Sequence, residues 1–375
     1  MPLFDVYPLY DITPVKGEGS WITDQQGQRY LDLYGGHAVI SIGHTHPHFV
    51  ARLEAQLHQL AFYSNSIQNP LQTELADALC EASCLEGYQL FLCNSGAEAN
   101  ENALKLASFH TGKPRVVAFR NSFHGRTSAA VAATDNPAIV APLNAGHQVT
   151  FLELNDGPAL ERELAKGDVC AVILEGIQGV GGLDMVHPEF YEAASRLCSQ
   201  YGSVLIADEV QCGFGRSGAF FAFQHSGAQP GIISMAKGMG NGFPVGGILI
   251  HPDIRPKHGM LGTTFGGNHL ACAAALAVLE VIREEGLMAH CREMEAYFRS
   301  RASEIPAILQ VKGKGLMLGI QLEQPVADLR KRLIFEHHIF TGSAKDKYLL
   351  RILPALNVQP EALDLLFTAL KKELA

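Results

Sequence analysis

Four short runs rich in Val and Ile constrain the fold most: Val116–Phe119, Val169–Leu174, Val204–Ala207 and Ile232–Met235. Each is apolar without alternation, which reads as a strand buried on both faces of a parallel sheet. Amphipathic stretches such as Glu189–Gln200 lie between them. Strands alternating with helices in this way predict an α/β sheet covered on both sides. The last hundred residues follow another pattern. Leu270, Ala274, Ala277, Val278 and Val281 recur at helical spacing in His269–Arg283, and a more charged helix is expected over Leu287–Ser303. Gly313–Leu322 and Lys347–Leu353 read as strands and Pro360–Leu374 as a closing helix, so a smaller α+β lobe is expected. The expected division places residues 1–48 with the small lobe, 49–268 in a large domain and 269–375 in the small lobe. Glycine-rich segments, Gly238–Gly247 and Gly262–Gly267, would form loops bordering a site.

Composition narrows the function classes. A net charge of −9 argues against a dominant role on nucleic acid or an anionic membrane. Met1–Tyr10 carries Asp5 and no Lys or Arg, unlike a signal or transit peptide. There is no run of 18 apolar residues, and the eight cysteines are scattered as in a reducing compartment, so a cytoplasmic location is expected.

Four segments carry chemistry. The run Val204–Ala207 ends in Asp208, and ligands bind at the carboxyl ends of strands in such sheets. A carboxylate there needs a cationic partner, and the protonated ring nitrogen of pyridoxal phosphate (PLP) is one; a helix N-cap is the alternative. Lys237 leaves the next apolar run, where a closed site would let it lose its proton and act as nucleophile and base. Alone, a lysine leaving a strand usually belongs to the surface, and only its pairing with Asp208 one strand earlier makes it a candidate. Cys93–Glu101 places small residues, Gly96 and Ala97, at the start of a helix expected over Ala97–Ala107. Free N–H groups there would cradle a phosphate, unless the helix is merely capped. Ser122–Thr127 offers Phe123 to stack on a ring and Arg126 to fork a carboxylate, or else is a turn with a surface arginine.

Together these segments resemble the class III (ω-amino) aminotransferases, within fold type I of the PLP enzymes, the aspartate-aminotransferase-like fold. The resemblance also takes in Tyr30-Leu31-Asp32-Leu33, Gly43-His44-Thr45-His46-Pro47, Thr263–Asn268 and Arg351-Ile352-Leu353-Pro354, and so spans nearly the whole chain. It implies that Lys237 holds the cofactor covalently and moves the proton, and that Asp208 keeps the ring nitrogen protonated. Gln211 would bond the ring hydroxyl, and Val210 and Phe123 would pack the two ring faces. Gly96 and Ala97 would bind the phosphate, with Thr264 reaching it from a neighbouring subunit of a homodimer. Arg126, with Thr263 nearby, would hold a carboxylate of an N-acylated ornithine. Arg351 would hold the α-carboxylate of glutamate or 2-oxoglutarate. The implied reaction moves the side-chain amine between these two substrates. Succinylornithine, ornithine or 4-aminobutyrate transfer, an aminomutase and a non-catalytic relative are the alternatives.

The chain departs from that family in Glu175–Gly182. Gly176 stands where the family usually has Pro, and Val180 where it usually has a glutamate that neutralises the C-terminal arginine. An unpaired buried arginine is costly, so solvent, Glu175 or the substrate's acyl end is expected to serve Arg351. His37 is also unusual; it reads as a hydrogen-bonded loop histidine or a contact to the acyl group. Gly213–Gly218 matches G-x-G-x-x-G, but a ribose-binding acid is missing where Met235-Ala236-Lys237 stands. His44, His46 and His48 lack an acidic or cysteine partner at ligand spacing, and no metal is expected.

Overall fold

The four Val/Ile runs become neighbours in one sheet. A computed structural model describes residues 1 and 3–374. Its central sheet has seven strands in the spatial order Gln89–Cys93, Gly246–Ile250, Ile232–Met235, Val204–Asp208, Val169–Glu175, Arg115–Phe119 and Val149–Leu152. The five from Ile232–Met235 to Val149–Leu152 pair in parallel, and Gly246–Ile250 runs antiparallel to both its neighbours. Arg115–Phe119, Val169–Glu175, Val204–Asp208 and Ile232–Met235 are buried throughout, which is why their sequences do not alternate. This is the mixed, mostly parallel sheet of the PLP fold type I.

Local signals set the helix limits. Pro188–Tyr201 starts on a proline and stops at Gly202, whose φ of 61° suits the left-handed cap. His269–Glu284 is capped by Asn268, whose side chain accepts the N–H of Ala271. Its small side chains, Ala271, Ala273, Ala274, Ala275 and Ala277, are buried and allow close packing against Pro47–Leu57 and Pro70–Ser83.

Two four-stranded sheets complete the chain. Pro14–Glu18, Trp21–Asp24 and Arg29–Asp32 form one with Ile339–Phe340, which pairs in parallel with Leu31 and Asp32. The other holds Gln310–Lys314, Met317–Gln321, Leu349–Ile352 and Gly342–Ser343. The single strand expected over Gly313–Leu322 is instead the end of one arm, the turn and the second arm of a hairpin. Gly313 and Gly315 take φ of 87° and 62°, and the chain reverses there. No helix among the described residues is long and apolar enough to cross a membrane.

Candidate active site

The carboxyl ends of the parallel strands open onto a cavity of about 390 Å³. Gly96, Ala97, Phe123, Arg126, Glu175, Val180, Asp208, Val210, Gln211 and Lys237 all line it. The chain thus gathers here residues that are up to 206 positions apart in sequence, from Val39 to Val245.

Asp208 ends its strand without capping a helix. One carboxylate oxygen, Oδ2, accepts from Asn100 Nδ2 and pairs with His124 Nδ1, both at 2.7 Å; Oδ1 accepts the N–H of Val210 at 3.1 Å. Asn100 Oδ1 in turn accepts the hydroxyl of Ser234 at 2.6 Å, and Asn100 Nδ2 also reaches the carbonyl of His124 at 2.7 Å. All four side chains are buried. The network fixes the carboxylate rigidly, because every member is held by another. Asn100, His124 and Ser234 received no role from sequence reasoning. The available signal was position: Asn100 lies one turn along the helix from Gly96, and His124 sits between Phe123 and Arg126.

Lys237 follows the neighbouring strand in a left-handed conformation, φ 48°, which costs a residue bearing a Cβ about 1 kcal/mol. Its loop is pinned from outside. Ser41 Oγ donates to the carbonyl of Gly238 at 2.7 Å, and Asn241 Oδ1 accepts the N–H groups of Ser41 and Ile42. Burial pushes the Lys237 ammonium below the ordinary lysine range and Arg351 adds to that, while Asp208 and Glu175 oppose it. A lysine so placed is a better neutral nucleophile.

The helix Gly96–Thr111 has an ordinary N-cap: Ser95 Oγ accepts the N–H of Glu98 at 3.2 Å. It is also open to a ligand, since the N–H groups of Gly96 and Ala97 have no protein acceptor among the described residues. Gly125 sits against this helix start with φ 135°, and a Cβ there would lie 2.8 Å from Ala97 Cα. Only glycine allows the Phe123–Arg126 loop to approach so closely.

Glu175 lines the cavity, but both oxygens are taken: Oε1 accepts the N–H of Phe123 at 3.0 Å and Oε2 that of Gly179 at 2.8 Å. Burial raises its pKa. It clamps two loops, and the expectation that it serves Arg351 is not met by any direct contact. Arg351 is buried and does not line the cavity. It donates to the carbonyl oxygens of Ser343 and Gly179 at 2.6 and 2.7 Å, and to Tyr34 Oη at 3.1 Å. Arg126 is exposed at the rim and has no protein acceptor among the described residues. Gln211 Nε2 donates to the carbonyl of His37 at 3.0 Å, while its Oε1 is buried without a donor.

Thr263 and Thr264 do not line the cavity of their own chain. Thr263 Oγ1 accepts the N–H of Gly266 at 3.0 Å, and Thr264 is exposed. Each of the clustered histidines finds a carboxylate distant in sequence: His44 pairs with Asp32, His46 with Glu285 and His48 with Glu280. They diverge to three partners. The glycine-rich Gly213–Gly218 segment forms turns, and Arg216 within it is buried against the carbonyls of Leu316 and Pro354.

These residues fit the cofactor. The cavity holds open helix-start N–H groups, a fixed carboxylate, an orphaned amide oxygen on Gln211 and a pKa-depressed lysine, and each meets a different need of one PLP molecule. Fold and site together define a PLP-dependent aminotransferase.

Residues 6–374 match the profile of the class-III aminotransferases, and the chain belongs to that family. It is 38% identical over 381 residues to the acetylornithine aminotransferase of Bacillus subtilis, covering 100% of this chain and 97% of the relative. It is 39% identical over 365 residues to that of Archaeoglobus fulgidus, covering 96% and 95%. Among solved structures, N-acetylornithine aminotransferase from Stenotrophomonas maltophilia superposes with a TM-score of 0.83 at 32% identity, covering 98% of this chain and 96% of that one. The ornithine aminotransferase of Toxoplasma gondii gives 0.90 at 27% identity, covering 98% and 91%.

Proposed function

We propose that this enzyme transfers the side-chain amine of an N-acyl-L-ornithine, with acetylornithine the preferred substrate, to 2-oxoglutarate. The products are the N-acyl-glutamate semialdehyde and glutamate, a step of arginine biosynthesis. The observation that carries the substrate assignment is full-length similarity to relatives named acetylornithine aminotransferase. Two arginines near one cavity, neither with a carboxylate partner among the described residues, agree with two carboxylate-bearing substrates.

When bound, the cofactor supplies an electron sink for the carbon that bears the amine. The residue roles follow from their chemistry. Lys237, depressed toward its neutral form, would carry the cofactor, then take and return the proton at that carbon. Asp208, held by Asn100 and His124, would keep a proton on the ring nitrogen. The N–H groups of Gly96 and Ala97 would hold the phosphate. Phe123 and Val210 would pack the ring, and Gln211 would bond its hydroxyl. Arg126, exposed at the rim, would bind a carboxylate of the acyl-ornithine, with Thr263 nearby. Arg351 would bind the oxo acid. Glu175 would act by holding the Phe123 and Gly179 loops rather than by touching substrate.

The assembly we propose is a homodimer with Thr264 of each subunit completing the other's phosphate site. Phe265, next to this residue, is exposed, and its ring lies 5.2 Å from that of Phe62, which is exposed too. An apolar patch of this kind is buried by association. A cytoplasmic location agrees with eight cysteines that are all free.

Initial rates with acetylornithine, succinylornithine, ornithine and 4-aminobutyrate, each against 2-oxoglutarate, test the substrate. Acetylornithine should give the highest kcat/KM. A higher value for unacylated ornithine or 4-aminobutyrate would overturn the assignment.

A further inference from the structure

Behind the cavity wall, Arg351 continues into a chain of two polar groups that the reaction as described does not use, Tyr34 and His37. Arg351 Nη2 donates to Tyr34 Oη at 3.1 Å, and Tyr34 Oη lies 2.6 Å from His37 Nδ1. The guanidinium also stacks over the Tyr34 ring, 5.6 Å from its centroid. Arg330 stands close enough to act on both Tyr34 and Arg351, and is itself held by the carbonyl of Thr341. Among the described residues, no carboxylate pairs with either guanidinium. Val180, at the adjoining cavity wall, can supply none.

The direction of this chain follows from its charges. A guanidinium only donates, so Tyr34 Oη accepts from Arg351 and its own proton is free for His37. His37 must then be neutral at Nδ1. Burial, Arg351 and Lys237 all disfavour its protonation. The backbone holds this arrangement in place. Gly35, Gly36, His37 and Ala38 have φ of 54°, 54°, 68° and 61°, one turn of left-handed helix, closed by Ala38 N–H to Tyr34 O at 3.0 Å. Asp32 Oδ1 accepts the N–H groups of Tyr34 and Gly35, and Gln211 ties down the carbonyl of His37. A left-handed turn containing two residues with a Cβ persists only where its surroundings impose it.

A guanidinium has five N–H groups, and Arg351 spends three on the two carbonyls and the phenol. We propose that Tyr34, oriented by His37, is a specificity-determining residue: it supplies Arg351 with a neutral oxygen in place of a protein carboxylate. The charge of Arg351 then stays uncompensated until the carboxylate of the oxo acid arrives. This rests on the reading that Arg351 serves the oxo acid. Tyr34 sets how strongly that substrate is preferred over the amine donor, and His37 is a positioning residue that acts through Tyr34.

The test compares the two half-reactions of the holoenzyme by single-turnover absorbance, with acetylornithine and with 2-oxoglutarate. Tyr34→Phe should lower kcat/KM for 2-oxoglutarate about tenfold more than that for acetylornithine, the value of one hydrogen bond to a charged group. The loss should fall in KM rather than kcat. His37→Ala should show the same bias at smaller size, and His37→Asn, whose amide oxygen can accept from Tyr34, should recover it. Equal losses in both half-reactions for Tyr34→Phe, or no rescue by asparagine, would overturn the proposal. Arg351→Ala separates the two levels. If it raises KM for 2-oxoglutarate while Tyr34→Phe shows no bias, only the role of Tyr34 falls. If Arg351→Ala leaves that KM unchanged, the assignment of Arg351 falls, and this inference with it.

Discussion

Glu209, next to Asp208, is fully buried and has no positively charged partner among the described residues. Its Oε2 accepts the N–H of Ala222 at 2.8 Å and its Oε1 that of Phe223 at 2.9 Å, which fastens the Ala222–His225 turn beneath the strand end. Burial pushes its pKa up from 4.5 to about 7, against the lowering effect of the two N–H groups. The sign follows. Below pH 4.5 the group is protonated in both the folded and unfolded chain. Between 4.5 and 7 the unfolded chain releases the proton first, so stability falls as pH rises, and the loss is complete above about 7. A difference of this size corresponds to about 3 kcal/mol. Glu209→Gln removes the titration. It also turns an amide NH₂ toward one of the two backbone N–H groups, at a cost of about 1–3 kcal/mol. The variant should therefore be less stable than the parent at pH 5 and at least as stable at pH 8. Urea midpoints of both proteins at pH 5, 6, 7 and 8 measure this. A stability difference that stays constant across the series would refute the argument that burial, rather than the two hydrogen bonds, governs this carboxyl.

Gly125→Ala should destabilise the apoprotein by about 1–3 kcal/mol, because the new Cβ would overlap Ala97 at a backbone conformation that disfavours side chains. It should also weaken PLP binding in a spectrophotometric titration, since the Phe123–Arg126 loop is pushed from the helix start. Asn100→Ala leaves the Ser234 hydroxyl and one Asp208 oxygen short of a partner, which should lower the thermal midpoint by the equivalent of about 1–3 kcal/mol. Asn100→Asp should bind PLP more weakly than Asn100→Ala, because a second carboxylate would face Asp208 Oδ2 at the 2.7 Å now spanned by an amide donor; equilibrium dialysis ranks the two.

The sheet was legible because burial on both faces writes itself into sequence as unbroken Val/Ile runs. Arg115–Phe119 and Ile232–Met235 fall within a residue of the runs that announce them. The hairpin at Gly313–Gly315 was not, since a reversal at Gly313-Lys314-Gly315 depends on positive φ angles that glycine permits but does not require. At the site, residues of unusual chemistry for their position, Asp208 and Lys237, stood out. Their supports did not. Asn100, His124 and Ser234 are common in ordinary turns and helices, and only the tertiary fold brings them within 2.7 Å of one another's partners. Tyr34 was equally silent, because its contact with Arg351 spans 317 positions.

The central claim concerns Lys237, and borohydride tests it most directly. Reduction of the holoenzyme fixes PLP to whichever lysine carries it, and proteolysis with mass spectrometry locates the added mass. The added mass should fall on the peptide containing Lys237, with the visible absorbance of the bound cofactor lost in parallel. A label on another lysine, or an unlabelled protein that still turns over, would contradict the assignment.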